Sequence, residues 1–235
     1  MPTGVEFLEA IRGASVWVLP VVIAITFHEA AHGFVAYRLG DDTAHRLGRV
    51  TFNPLRHVDP FGTIVLPGLL LLARAPFLFG YAKPVPVAFH RLRRPRRDMV
   101  LVAAAGPAIN IALAVASAAL LHVTELLPPA TGAWLAENLQ NSVLINLVLA
   151  VFNMLPLPPL DGGRVAVGLL PRPLALPLAR LERYGILVVM ALLIVLPLLG
   201  AELGVDLNLF AVLVGVPVQM LLRLVGWITG IPVEA

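Results

Sequence analysis

Apolar residues run along this chain in long blocks, and the polar residues gather between them. The blocks are Ala14–Phe27, Met99–Leu121, Ser142–Leu160, Gly185–Leu199 and Leu207–Val218. A helix needs roughly 20 apolar residues to cross the hydrocarbon core of a bilayer, and several blocks reach that length with their flanks. The pattern predicts five spans, at about 14–39, 99–122, 141–160, 184–200 and 207–229. Residues 4–12 are expected to form a short interfacial turn. A further apolar stretch, Phe61–Phe79, is broken by Pro67-Gly68 and carries Arg74. About 13 uncharged residues precede that arginine, a length that suits a re-entrant segment better than a sixth span.

Composition turns this pattern into a statement about solvent. The chain of 235 residues is 59% hydrophobic and 13% charged, against about 45–50% apolar and about 25% charged in soluble domains. A water-soluble core could not hide that excess, so lipid is the expected surroundings. The expected fold is an all-α, polytopic bundle of five to six transmembrane helices with a re-entrant segment near 61–79. Spans and loops use up the length, so 1–235 is expected to be one membrane domain, with a core at about 14–170 and extra helices at about 184–229. There is no cysteine, which excludes disulfides and thiolate metal sites. No cleavable leader is expected, because no basic region precedes the first apolar block, and that block runs into His28-Glu29-Ala30-Ala31-His32.

The basic residues report topology. A sequence pI of 9.9 would suit nucleic acid if the charges formed a patch, but they lie between apolar blocks, and no nucleic-acid partner is expected. Lys and Arg favour cytoplasmic loops. They cluster in 40–60, 81–98 and 161–184, whereas 122–140 and 201–206 hold only acidic charges. The first three segments are therefore expected on the cytoplasmic side, the N-terminus outside and the C-terminus inside. Because 40–60 and 81–98 share a side, 61–79 should enter and leave by the same face.

Chemistry enters with the first block. His28, Glu29 and His32 stand in an apolar helix, where an ionisable group costs about 2.5–3.5 kcal/mol to insert, so a functional reason is the default. Histidines at i and i+4 share one helical face and can grip one zinc ion, while the intervening glutamate serves as a general base. At 1.5 Å per residue, His28 lies about 21 Å from the outer end of its helix, roughly 10 Å short of the cytoplasmic face.

A catalytic zinc takes three protein ligands and leaves one position open. Asp41, Asp42, His45, His57, Asp59, Asp98, His122 and Asp161 are the candidates for the third. His122 falls on the outer side, Asp98 sits among arginines that would pair with it, and turn chemistry after Gly40 explains Asp41 and Asp42. Asp161 ends Asn153-Met-Leu-Pro-Leu-Pro-Pro-Leu-Asp161-Gly-Gly. The prolines deny that stretch a regular helix, and the glycines permit close backbone approach. Spacing alone leaves two readings of Asp161: third ligand, or cap of the helix that follows.

These residues resemble the site-2 protease family of intramembrane zinc metalloproteases. His28–His32 is similar to its first motif and Asn153–Gly162 to its second; Asn53–Thr63, Phe79–Pro86 and Ala105–Asn110 match features of its compact prokaryotic branch. The resemblance spans roughly 20–170. It implies one zinc ion per chain held by His28, His32 and Asp161, with Glu29 as catalytic base. Asn153 is implied to contact substrate or the developing oxyanion, with a helix-breaking cap as its other reading. His57, Asp59 and Asn110 match family positions to which the sequence gives no role; His57 is expected either to face the cavity or, with Asp59 and Pro60, to shape the start of the re-entrant segment. Expected substrates are transmembrane proteins or signal peptides, cut within or beside their membrane segments, in the inner membrane. The competing reading is a membrane metal-ion carrier using the same histidines and aspartate.

Overall fold

The structure, a computed structural model, describes residues 4–65, 69, 83–205 and 207–231. Among the described residues, four helices are long and apolar enough to cross a membrane. The first, α1 (Gly4–Arg38), is continuous, so 4–12 belongs to the helix and is not the separate interfacial turn expected. It is followed by α2 (Pro95–Thr124) and α3 (Pro129–Asn153). Two short helices come next, α4 (Asp161–Leu169) and α5 (Arg172–Arg180). Residues 185–203, α6, are helical through a central π-helical turn at Ala191–Val195. The last helix, α7 (Ala211–Thr229), is the fourth candidate span. The described residues contain no strand, and the all-α membrane bundle read from the sequence holds.

Helices in lipid gain nothing from hiding apolar surface from one another, so close contact depends on small residues and polar bonds. The inward face of α2 shows both. Asp98, Val102, Ala103, Gly106, Asn110, Ala114, Ser117, Ala118 and Leu121 are buried on one stripe, at the three-to-four spacing of a single helical face. Its Ala and Gly positions let α1 and α3 approach on either side. Ala114 and Ala118 join Val143 and Leu147 of α3 and Val214, Val218, Leu222 and Val225 of α7 in one apolar cluster. Large apolar side chains point outward instead, Leu120, Leu198, Met220 and Trp227 among them.

Contacts at the helix ends give their directions. Arg12 near the start of α1 pairs with Glu137 near the start of α3 at 2.7 Å, so these two run parallel. The chain after α1 returns to the start of α2, where Arg93 N–H donates to Leu39 O at 3.1 Å. Just before α7, Phe210 packs against Phe152 at the far end of α3, while at the end of α7 the carbonyl of Thr229 meets His122 Nε2 at 2.8 Å. Thus α7 runs parallel to α2, and its C-terminal end lies with the start of α1. Five end-to-end spans would have put the first and last helix ends on opposite sides; here the start of α1 and the end of α7 share one. The expected direction counted a crossing at 184–200, but α6 starts beside Pro158 and Pro159 and the chain enters α7 beside Phe152, so both lie at one end of the bundle.

Local boundaries moved for physical reasons. The third span begins at Pro129 because Pro at the first helical turn forfeits no hydrogen bond. It stops at Asn153, where Pro156, Pro158 and Pro159 prevent continuation as expected. Asp98 does not pair with the neighbouring arginines; its carboxylate accepts the Arg94 N–H at 2.8 Å and closes the first turn of α2. Residues 66–68 and 70–82, most of the expected re-entrant segment, lie outside the described residues. Its beginning, Pro60–Val65, is a π-helical turn, with Asp59 accepting the N–H groups of Phe61 and Gly62.

Asp41 ties the end of α1 to the extended residues 83–88. Its carboxylate accepts from the Ala88 N–H at 2.6 Å and from the Thr43 N–H and hydroxyl. Burial works against its charge, but these donors and Arg91 outweigh it, and the carboxyl titrates below its ordinary value. Asp42 pairs with Arg46 and Arg91. The turn chemistry expected of both residues is what the loop uses.

A candidate metal centre between three helices

Four turns into the apolar part of α1, the two histidines of His28–His32 point their rings toward α2 and α4. Their Nε2 atoms are 3.0 Å apart. Asp161, the first residue of α4, brings Oδ2 to 3.1 Å from His28 Nε2 and 3.2 Å from His32 Nε2. No other group of three such donors occurs among the described residues. All three side chains are buried. Leu160 holds the N-cap position of α4, and Asp161 stands one residue inside it with its carboxylate turned to the two histidines, so of its two readings the cap is not the one the geometry uses.

Hydrogen bonds behind the rings decide which nitrogens carry protons. His32 Nδ1 faces the carbonyl of Val102 at 2.7 Å. A carbonyl only accepts, so Nδ1 holds the proton and Nε2 keeps its lone pair. His28 Nδ1 faces Asn110 Oδ1 at 2.6 Å. The Asn110 amide nitrogen is turned to the carbonyl of Ala24 and to Asn146, which leaves its oxygen for His28. Three lone pairs therefore converge, and Asp161 Oδ2 is buried with no hydrogen-bond donor. Such a cluster repels itself unless a cation sits within it.

The spacing suits zinc. At bond lengths of about 2.0–2.1 Å, a tetrahedral site separates its donors by about 3.3 Å, and the separations here are 3.0, 3.1 and 3.2 Å. Two imidazoles and a carboxylate leave a fourth position open, as a hydrolytic site requires. His28, His32 and Asp161 could thus hold one ion, and they fit it.

Glu29 lies apart from the donor trio. Its Oε2 accepts the Val85 N–H at 2.7 Å, while Oε1 has no hydrogen-bond partner among the described residues. Residues 83–88 are held on one side of that contact by Ala88 N–H on Asp41 and on the other at Lys83. Lys83 N–H donates to His57 O at 2.9 Å, and Arg49 Nη2 donates to Lys83 O at 2.6 Å. His57 is buried with Nε2 on Thr51 O and stands outside the trio. Asn153, the last residue of α3, turns its amide nitrogen to Leu149 O at 3.0 Å and is half-buried.

Sequence reasoning missed the glycine against the rings. A Cβ on Gly106 would lie 2.5 Å from both His28 Cε1 and His32 Nε2, closer than side chains can pack. Gly106→Ala is therefore expected to push the imidazoles off their positions and weaken zinc binding at least tenfold, read by competition with a chromogenic chelator. Wild-type affinity would count against a tight fit here. Asn146 was also missed, although a polar residue within an apolar block was signal enough to find it. His45, stacked on Tyr37, and His122, at the bundle's end, are elsewhere.

Comparison with known proteins agrees with this chemistry. The model of peptidase family M50 matches residues 129–196, a range that includes Asp161. The chain is 41% identical over 182 residues to "Putative zinc metalloprotease YwhC" of Bacillus subtilis (strain 168), covering 75% of this chain and 79% of that one. It is 32% identical over 160 residues to "Putative zinc metalloprotease Rip2" of Mycobacterium tuberculosis (strain ATCC 25618 / H37Rv). With Rip2 of Mycolicibacterium smegmatis it shares 30% over 175 residues. The matches span 59% and 64% of those two longer proteins. No solved structure matches. Nothing among these findings favours an ion carrier. Spanning helices, a three-donor group suited to zinc, and a relative matched over three quarters of both lengths lead to one assignment: the chain belongs to peptidase family M50, the site-2 protease family of intramembrane zinc metalloproteases.

Proposed function

We propose that His28, His32 and Asp161 hold the zinc, and that Glu29 is the general base for cutting peptide bonds within or next to the transmembrane segments of other proteins. The observation that carries this is the convergence of two imidazole nitrogens and a carboxylate oxygen within 3.2 Å inside membrane-spanning structure. Zinc, when bound, supplies a Lewis acid that polarises the scissile carbonyl and makes water nucleophilic near neutral pH. Glu29 is held at Oε2 by Val85 N–H, so its other oxygen is free to take a proton from the attacking water and pass it to the leaving amine. Asn153 spends one N–H on Leu149 O; its second N–H and its Oδ1 remain for an extended substrate, in keeping with a role in substrate contact.

A helix conceals its peptide bonds, so the substrate has to be unwound locally before these groups can reach it. Membrane-anchored regulators and released signal peptides both supply such segments. The arginine-bearing end, where α1 finishes and α2 begins, is assigned to the cytoplasm by the basic loops, and the centre lies nearer that face. Both termini then lie on the opposite face, which replaces the expectation of a cytoplasmic C-terminus. The whole chain is taken to act as one membrane domain, with α7 bracing α2 and α3.

Reconstitution in liposomes with single-span membrane proteins tests the reading. Cleavage is expected with zinc, is expected to stop on exhaustive chelation, and should return when zinc is restored. Zinc flux across the bilayer without any peptide cleavage would overturn it.

A further inference from the structure

A line of buried polar side chains runs from His28 across the bundle, and hydrolysis uses none of its far end. Asn110 Oδ1 lies 2.6 Å from His28 Nδ1. Asn110 Nδ2 donates to Asn146 Oδ1 at 2.7 Å and, more weakly, to Ala24 O at 3.3 Å. Asn146 Nδ2 in turn donates to the Ser142 carbonyl at 2.8 Å and to the Ser142 hydroxyl at 3.2 Å. Ser142 Oγ is 2.8 Å from Ser117 Oγ. Asn110 and Asn146 are both wholly buried. The line joins α1, α2 and α3 at a depth where each unpaired polar group is expensive.

We infer that Asn146 is a positioning residue for the zinc ligand His28, acting through Asn110. This rests on the ligand assignment proposed above. The direction of every bond in the line is forced. Ser142 O can only accept, so Asn146 must turn its nitrogen there and its oxygen toward Asn110. That oxygen, with Ala24 O, requires the Asn110 nitrogen on its far side, which delivers the Asn110 oxygen to His28. A histidine facing that oxygen must carry its proton on Nδ1, which leaves the Nε2 lone pair aimed at Asp161 and His32. With Asn146 gone, the Asn110 nitrogen would keep only the longer contact to Ala24 O, and the amide would be free to tilt or to flip. A flipped amide sets a donor against His28 Nδ1 and moves the proton to Nε2, where it blocks the metal.

A second consequence follows from where Asn146 sits. It lies on α3, two turns before Asn153 and the bend that leads to Asp161. The helix that delivers the third ligand also sets the orientation of the first, so correct docking of α3 completes the site at two points together.

The test uses full-length protein in nanodiscs, with zinc affinity read by chelator competition and ligand geometry by the visible spectrum of the cobalt form. Asn110→Leu should lower zinc affinity about 10–100-fold, as loss of an outer partner of a metal-bound histidine does. Asn146→Leu should lower it about tenfold and shift the cobalt bands. The double variant should be no worse than Asn110→Leu alone, because Asn146 acts only through Asn110. Asn146→Asp, whose protonated carboxyl offers Asn110 the same acceptor and Ser142 one donor, should restore affinity to within about threefold of wild type; this also covers the case in which Asn146→Leu fails to fold. Additive losses in the double variant would overturn the inference, as would wild-type affinity and spectrum in Asn146→Leu or a failure of Asn146→Asp to recover. Should His28→Ala bind zinc as well as wild type, the ligand assignment itself falls; if His28→Ala loses zinc while Asn146→Leu keeps it, only the relay does.

Discussion

Glu29→Gln is expected to keep zinc at wild-type affinity while cleavage falls by about 10²–10⁴-fold, the span that removal of a general acid–base covers. The two side chains have the same shape, and a glutamine oxygen can still accept the Val85 N–H that now holds Oε2 at 2.7 Å. Residues 83–88 and the helix around the centre should therefore stay in place. What changes is proton affinity, since an amide oxygen cannot take the proton of an attacking water at neutral pH. Glu29 is outside the donor trio, so metal content should be untouched. Zinc stoichiometry by mass spectrometry, with cleavage of a membrane substrate in the same liposomes, separates these effects. Full activity in the glutamine protein would remove Glu29 from the mechanism.

The first motif was legible because it is local: His28 and His32 are one turn apart on a single helix, and helical geometry alone brings their rings together. Asp161 was half legible. The prolines after Asn153 foretold a break, but a break does not say where the next residue points; that the Asp161 carboxylate turns to His28 and His32 is set by the packing of α4 on α2. Gly106 and Asn146 were not read because their reasons lie on other helices. A glycine in an apolar block looks like any small packing residue until two imidazoles are found against it. The direction of α7 failed for a related reason. It was counted through a crossing at 184–200, and the contacts that orient the helix, Phe152 with Phe210 and His122 with Thr229, pair residues far apart in the chain.

Loss of the third donor should be the most damaging change to the metal centre. Asp161→Ala removes the one negative charge of the trio and leaves two neutral imidazoles, so zinc affinity is expected to fall by more than the roughly 10–100-fold that an outer partner costs. Asp161→Glu should fail too, which distinguishes placement from charge. The extra methylene would need the start of α4 to retreat, but the backbone there is pinned. A Cβ on Gly162 would lie 2.2 Å from Met154 O, and one on Gly163 would lie 2.2 Å from Pro158 N, so the turn from α3 into α4 is packed against its own main chain. Nor can the histidines advance to meet a misplaced carboxylate, because Nδ1 of each is tied to Asn110 or Val102. Zinc titration of the alanine and glutamate proteins is therefore expected to show weak binding in both, with unchanged helical content by circular dichroism. Zinc bound at wild-type affinity by Asp161→Ala would mean that the carboxylate lies beside the metal without holding it.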